Sequence, residues 1–258
     1  MGIWHSKKEM NVHTTHETLE KMLGLLRSRS PFCFTRYGDS QILGMEDWPG
    51  NKEEQVMTSK LRLLLQKAFQ INDPDYLIAP ACGFKIEAGM RSGTHAPFRN
   101  DLELVAIVER HKRTNEFWHC DAIHYGMLYD QEIVRQIFRE IEKADVLIVA
   151  GEDLDPRSIA FKNADIVRIP MDNAFKHWEL IYERIQEYDR HYQPQIILYA
   201  CGLTSQVLQY FQFLDKPHIT TINMGSVFNA LLGITSGVHT RGWIRDNQEE
   251  LSSFTQSL

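Results

Sequence analysis

The chain has 258 residues, 43% hydrophobic and 24% charged, a balance that suits a soluble globular protein and excludes a disordered or fibrous one. Its formal net charge of −6 disfavours a dedicated nucleic-acid binder, which would carry a basic excess. No apolar run approaches the roughly 20 residues that span a bilayer.

The segment Met1–Lys8 is too short in its apolar part for a signal peptide, although Met1-Gly2 with Ser6 bears a faint likeness to a myristoylation signal. A helix is expected over 14–29, capped by Thr14 or Thr15, with Leu19, Met22, Leu23 and Leu26 as its buried stripe and Pro31 as its stop. The apolar run Phe32–Thr35 then reads as a strand that ends in a turn, Arg36-Tyr37-Gly38-Asp39-Ser40-Gln41. A second helix is expected over 52–70 with Asn51 as its cap, then a short strand at Tyr76–Ala79. Residues 81–99 have no period and carry Lys85, Glu87, Arg91, His95 and Arg99; such irregular stretches are often functional. Helices near 100–111 and 130–143 flank an aromatic, histidine-rich segment.

The last part alternates more clearly. Strands are expected at Asp145–Ala150, Asp165–Ile169, Gln195–Ala200 and His218–Asn223, with helices at roughly 173–189 and 204–213 between them. Alternation of this kind implies right-handed crossover connections and an α/β fold with a mainly parallel sheet and helices on both faces. No repeat, low-complexity tract or linker divides the chain, so one domain over 1–258 is expected. Cys33, Cys82, Cys120 and Cys201 are not paired at short spacing, which reads as reduced thiols in a cytoplasmic setting.

Candidate chemistry gathers at the strand ends, where open parallel sheets bind ligands. Arg36 can hold a phosphate or a structural carboxylate, and Asp39 can hold a divalent cation. Gly202-Leu203-Thr204-Ser205 turns from a strand into a helix, with Thr204 or Ser205 as cap and free N–H groups able to hold an anion; a plain capped turn explains it equally. Asn223-Met224-Gly225-Ser226 repeats that logic, and Gly151-Glu152-Asp153 sets acids at a third strand end. Asp172 or Asn173 caps the next helix or meets a ligand. His119-Cys120-Asp121-Ala122-Ile123-His124 fits no established zinc spacing and reads as packing. His239, Arg241 and Arg245 either clamp a diphosphate or face water.

These motifs, in this order, resemble the GT-D fold glycosyltransferases, a group first noted as a domain of unknown function in bacterial adhesin glycosylation. The family's Arg-Phe-Gly-Asp-Gly-Glu signature corresponds to Arg36–Gln41, and later segments correspond to Leu147–Glu152, Arg168–Phe175, Leu198–Leu208 and Ile222–Gly225. The resemblance implies a Rossmann-like fold of the GT-D type, a nucleotide sugar donor, commonly a uridine diphosphate sugar, and a divalent metal, Mn²⁺ or Mg²⁺. It makes Asp39 and Gln41 the metal pair, Asp39 and Glu152 the catalytic candidates, and Arg36, Gly38, Asn173, Gly202, Thr204, Ser205, Asn223, Gly225 and Ser226 the substrate-binding set. Two positions depart from the pattern, since Gln41 replaces the family's glutamate and Asn223 its aspartate. The acceptor is then a glycan, a glycoprotein or another hydroxyl compound, with a hydroxylated DNA base as the alternative that the acidic balance disfavours. A binding domain impaired in catalysis is the rival from another class. A methyltransferase is a further rival, weakened because no Gly-x-Gly follows the first strand.

Overall fold

Apolar segments at regular intervals line up as the strands of one parallel sheet in the computed structural model, which describes residues 10–46, 50–51, 55–81, 101–234 and 244–258. The first half contains β1 (Asn11–Val12), α1 (Thr15–Ser28), β2 (Cys33–Tyr37), α2 (Asp39–Gly44), β3 (Gly50–Asn51), β4 (Gln55–Val56), α3 (Ser59–Phe69) and β5 (Tyr76–Pro80). Next come α4 (Asp101–His111), β6 (Glu116–Phe117), α5 (Ala122–Tyr129), α6 (Gln131–Glu142), β7 (Val146–Gly151) and β8 (Asp165–Ile169). The chain closes with α7 (Trp178–Tyr192), β9 (Ile196–Ala200), α8 (Thr204–Asp215), β10 (Thr220–Asn223), α9 (Val227–Leu231) and α10 (Gln248–Gln256).

The six-stranded sheet runs β5-β2-β10-β9-β7-β8, and every neighbouring pair is parallel. Side chains alternate between its faces. Ile196, Leu198 and Ala200 point into a core completed by α1, α5, α6, α9 and α10, through residues such as Met22, Ile123, Ile137, Phe228 and Phe254. Ile197 and Tyr199 point the other way, toward α7 and α8. On the same face Cys33, Tyr37 and Ile78 meet α3 and α4. Burial on both faces is why β7 and β9 read as continuous apolar runs rather than as alternating ones. The expected α/β sheet with helices on both faces is therefore the fold observed.

The connections leaving β9 and β7 diverge. β9 leads through α8 to β10 on one side, whereas β7 leads to β8 on the other, through residues including Leu154, Ala160 and Phe161 that pack on the opposite face. Such a reversal opens a crevice at the carboxyl ends of the strands.

Several boundaries differ from the sequence pattern. The helix expected over 52–70 starts at Ser59, because Thr58 Oγ1 accepts from Leu61 N–H at 3.1 Å and caps it. Before it, Gln55–Val56 pair antiparallel with Gly50–Asn51. The turn expected after β2 is brief: Gly38 is already the N-cap of α2, and Asp39 opens that helix. Helix α1 ends on Arg29 in the left-handed region, two residues before Pro31. The histidine-rich segment contains the buried helix α5. The helix expected from 173 begins as a 3-10 turn at Ala174–His177 and becomes α-helical at Trp178. Lys85, Glu87, Arg91, His95, Arg99, Cys82, His239 and Arg241 lie outside the described residues.

Candidate functional site at the carboxyl edge of the sheet

The strand ends named from the sequence share one edge, because all the strands of the sheet are parallel. Along that edge lie Arg36 to Asp39 at the end of β2, Asn223 to Ser226 at the end of β10, Gly202 to Ser205 after β9, Glu152 after β7 and Asn173 after β8.

Arg36 is the junction of the first two groups. Its side chain is 13% exposed, and each face of the guanidinium fork is used. Nε donates to the Cys120 carbonyl at 2.6 Å, Nη1 donates to the Met224 carbonyl at 3.1 Å, and Nη2 pairs with the Asp121 carboxylate. The arginine thus holds a structural carboxylate, one of the two roles open to it, and its planar fork suits that job better than a lysine would. Burial pushes the Asp121 carboxyl up, but the Arg36 cation, the neighbouring histidines and the Arg36 hydrogen bond together outweigh it and hold the group below its ordinary range. Gly225, at φ +53°, lies directly under the guanidinium; a Cβ there would overlap Nη1. Asn223 is buried and its Oδ1 accepts from Gly225 N–H at 3.0 Å, so it shapes the turn that Arg36 covers.

Asp121 is also the link to a histidine that the sequence pattern reads only as packing. His124 Nδ1 lies 3.6 Å from Asp121 Oδ1, and His124 Nε2 lies 3.0 Å from Ser226 Oγ. Burial, then the Arg36 cation, push the His124 imidazole down to about 4, so it is neutral at ordinary pH. Burial, and then the Asp121 carboxylate, push the Cys120 thiol up.

Asp39 is exposed at the start of α2. Gln41 folds back, so that a Cβ on Gly38 would meet its Oε1 at 2.9 Å. Among the described residues no group of three His, Cys, Asp or Glu side chains could hold a metal ion. One exposed carboxylate is nevertheless enough for Mg²⁺-like binding when substrate phosphates supply the remaining oxygens.

At the head of α8 the three candidate residues separate. Gly202 is exposed at φ +57°, with nothing within 4 Å of a Cβ placed on it. Ser205 is fully buried, and its Oγ accepts from Cys201 N–H at 3.1 Å. Thr204 is buried too, and its Oγ1 has no hydrogen-bond partner among the described residues. Neither side chain caps α8 in the way the sequence suggests; the turn is closed by backbone bonds from Thr204 N–H to Cys201 and from Ser205 N–H to Gly202. Gln206, next along α8, donates its amide to the Arg36 carbonyl and ties this turn to the end of β2.

Glu152 is exposed at the reversal between β7 and β9. Its loop is held by Arg168, whose Nη1 donates to the Glu152 carbonyl at 3.2 Å and to the Leu154 carbonyl, while Nη2 pairs with Asp155 at 3.1 Å. Asn173 adopts a left-handed conformation at φ 49°. Its Oδ1 accepts from Val56 N–H at 2.7 Å, and in return Gln55 Oε1 accepts from Phe175 N–H at 3.3 Å. This reciprocal pair fastens the β3–β4 hairpin to the far end of the edge. No sequence pattern announces it, because the partners are 117 and 120 residues apart.

No family model and no curated protein matches the chain. Solved structures do match it. One, described as a new glycosyltransferase (DUF1792) from Streptococcus sanguinis, has a TM-score of 0.64 at 17% identity, over 86% of this chain and 83% of that one. A selenomethionine-substituted structure of domain of unknown function 1792 has a TM-score of 0.63 at 19% identity, over 86% and 80%. A third, described as showing that this domain has a distinct glycosyltransferase fold, has a TM-score of 0.61 at 18% identity, over 86% and 80%. At these identities the likeness is one of fold, and the fold is the GT-D type that the ordered motifs imply.

Proposed function

We propose that the chain is a glycosyltransferase that moves a sugar from a nucleotide diphosphate sugar, a uridine diphosphate sugar by the motif resemblance, to a hydroxyl acceptor. The observation that carries the reading is the open Gly202 turn at the head of α8. It lies beside the β9/β7 reversal, on a fold shared with a protein described as a glycosyltransferase. A phosphate can approach the backbone of such a turn closely, and the head of a helix favours an anion.

In this reading Gly202 meets the donor diphosphate, and Thr204 and Ser205 support the turn from within. Asp39, with Gln41 beside it, would hold Mn²⁺ or Mg²⁺ that arrives with the diphosphate. Bound there, the cation would neutralise charge on the leaving group. Arg36 and Gly38 shape the rim on which the donor lies. Asn173 has its carbonyl committed to the hairpin, which leaves its amide nitrogen to meet the nucleoside. Glu152, exposed across the crevice, is the carboxylate available to an acceptor hydroxyl. Three of the cysteines are buried thiols, which suits a reducing compartment such as the cytoplasm. No helix among the described residues is long and apolar enough to cross a membrane.

The neutral residues Gln41 and Asn223 favour one second reading, a nucleotide-sugar-binding domain weak in catalysis. Calorimetry with uridine diphosphate and its sugars, with and without Mn²⁺, tests binding, and release of uridine diphosphate in the presence of hydroxyl acceptors tests turnover. Binding with turnover supports the transferase; binding alone supports the second reading. Absence of binding to every nucleotide sugar refutes both.

A further inference from the structure

We propose that the opposite edge of the sheet holds a second binding site, for the phosphate ester of a small organic group. A cavity of about 790 Å³ lies there, at the amino ends of β2, β10 and β9, which are neighbours in the sheet, and beside the ends of α1, α6, α7 and α8. That volume suits a small-molecule ligand. Leu26, Pro31, Ala144, Pro194 and Ile196 supply an apolar part of its lining. Its cations are Arg27, Arg29, Lys143, Arg190 and Lys216, with His218 beside them, and its carboxylates are Glu140 and Asp189. Counting Lys and Arg alone, the lining carries +3 in a chain whose total is −6.

Some of these cations are already committed. Lys216 Nζ lies 2.9 Å from the buried Asp189 carboxylate, a pair that ties the end of α7 to the end of α8. Lys143 meets Glu140 at 2.8 Å, and Arg27 donates to the neutral Gln136 Oε1 at 2.6 Å. Arg29 is different: its side chain makes no hydrogen bond or ion pair among the described residues. Arg190 donates only Nε, to the Gln186 carbonyl at 3.3 Å. Cations are ordinary at helix ends, and four such ends carry about −2 between them. That answers two of the three surplus charges, but a diffuse dipole does not occupy the N–H groups of Arg29 and Arg190. A guanidinium fork without a carboxylate matches the oxygens of a phosphate. The apolar lining receives the organic group that such a phosphate carries.

This site stands apart from the rim described above. Arg36, Gly202 and Gly225 lie at the other ends of the same three strands, about 15 Å away at roughly 3.3 Å per residue. Its occupancy is therefore independent of the glycosyl-transfer reading. The ester is either a free small molecule or the headgroup of an anionic phospholipid, and two kinds of probe separate these sources. Phenyl phosphate, which joins an apolar ring to an anion, would be titrated by calorimetry into the whole chain in metal-free buffer, beside inorganic phosphate, benzoate and phenol. The wild type should bind it about tenfold tighter than inorganic phosphate or benzoate, and phenol should not bind. Arg29→Gln and Arg190→Gln change exposed side chains, so the melting temperature should hold, and each should weaken phenyl phosphate by about tenfold. Arg113→Gln, which removes an exposed charge outside the cavity, should leave the Kd unchanged. Uridine diphosphate with Mn²⁺ should not displace the probe.

Flotation with phosphatidylglycerol and with phosphatidylcholine vesicles is the second arm. Phenyl phosphate binding that depends on Arg29, without flotation, supports a free ester; flotation with phosphatidylglycerol alone that depends on Arg29 supports a headgroup. Benzoate bound as tightly as phenyl phosphate, displacement by uridine diphosphate, or losses in Arg29→Gln and Arg190→Gln no larger than in Arg113→Gln overturn the site, as does a chain that neither binds the probe nor floats. If one arginine variant melts early, the other carries the comparison. A chain that ignores uridine diphosphate and every nucleotide sugar refutes the glycosyl-transfer reading and leaves these comparisons standing.

Discussion

Gly202→Ala and Gly225→Ala form a matched pair that isolates the worth of the Arg36 junction. Both glycines are left-handed, at φ +57° and +53°, so each alanine meets backbone strain of about 1–2 kcal/mol. Their surroundings differ. A Cβ at 202 meets nothing within 4 Å, whereas at 225 it overlaps Arg36 Nη1 and lies 2.8 Å from Cζ. The guanidinium must then leave the Met224 carbonyl and loosen its pair with Asp121. Breaking a fully buried ion pair costs about 3–5 kcal/mol. Asp121 is 24% exposed, so part of that cost is relieved by water, and about 2–3 kcal/mol is a fairer figure. Gly225→Ala should therefore lose about 3–5 kcal/mol against about 1–2 for Gly202→Ala, from a total that for such chains is about 5–15. Urea unfolding followed by far-ultraviolet circular dichroism, with the slope unchanged, reads the difference directly. Equal losses, within about 0.5 kcal/mol, would mean that Arg36 does not clamp the 224–226 turn.

Further outcomes follow from the same rim. Asp39→Ala should remove turnover and leave the fold intact, because the carboxylate is exposed and its helix-start contribution is only about 0.3–1 kcal/mol; normal turnover in the folded variant would remove Asp39 from the chemistry. Asn173→Ala deletes the acceptor for Val56 N–H and puts alanine at a left-handed position, so about 1–3 kcal/mol should be lost, with faster amide exchange at Val56; unchanged exchange there would show that the hairpin is held by other contacts. His16 is held above its ordinary 6.5 first by the hydrogen bond it donates to the Asp130 carboxylate. Its contribution is thus fully present below pH 6.5 and fades as pH rises through the higher folded value. The group is exposed and screened, so only a few tenths of a kcal/mol are expected. His16→Ala should flatten that part of the stability–pH curve, and an identical curve would discard the pair.

The alternating half of the chain was legible because burial on both faces leaves uninterrupted runs such as Leu147-Ile148-Val149-Ala150, which admit few other readings. Helix α5 was not, and the reason is local. Ala122-Ile123-His124-Tyr125-Gly126-Met127 is apolar nearly all round, so it has no stripe, and it carries a glycine. That glycine is there for packing: a Cβ on Gly126 would lie 2.5 Å from Val134 Cγ2 and 2.7 Å from Leu19 Cδ1. With α5 unread, Asp121 and His124 had no visible connection to the rim, 85 and 102 residues away from Arg36 and Ser226. The serine and threonine at the head of α8 were identified by type, but their buried orientation depends on how α8 packs against β2 and β10. Arg36 and Gly202 keep places at the rim that their strand-end positions imply.

The pairing of β10 with β2 also bears on how the chain is made. Thr221 lies opposite Cys33, and Arg36 binds Met224 across 188 residues. At about 5–20 residues per second, a ribosome needs roughly 10–40 s to deliver that partner. Throughout the interval one side of β2, an apolar strand bearing Phe34, is an open edge with only β5 beside it. Open edges of that kind invite pairing with other chains. Nascent fragments that stop short of residue 220 should therefore aggregate or engage chaperones, and late synthesis of β10 becomes the step that ends the exposure.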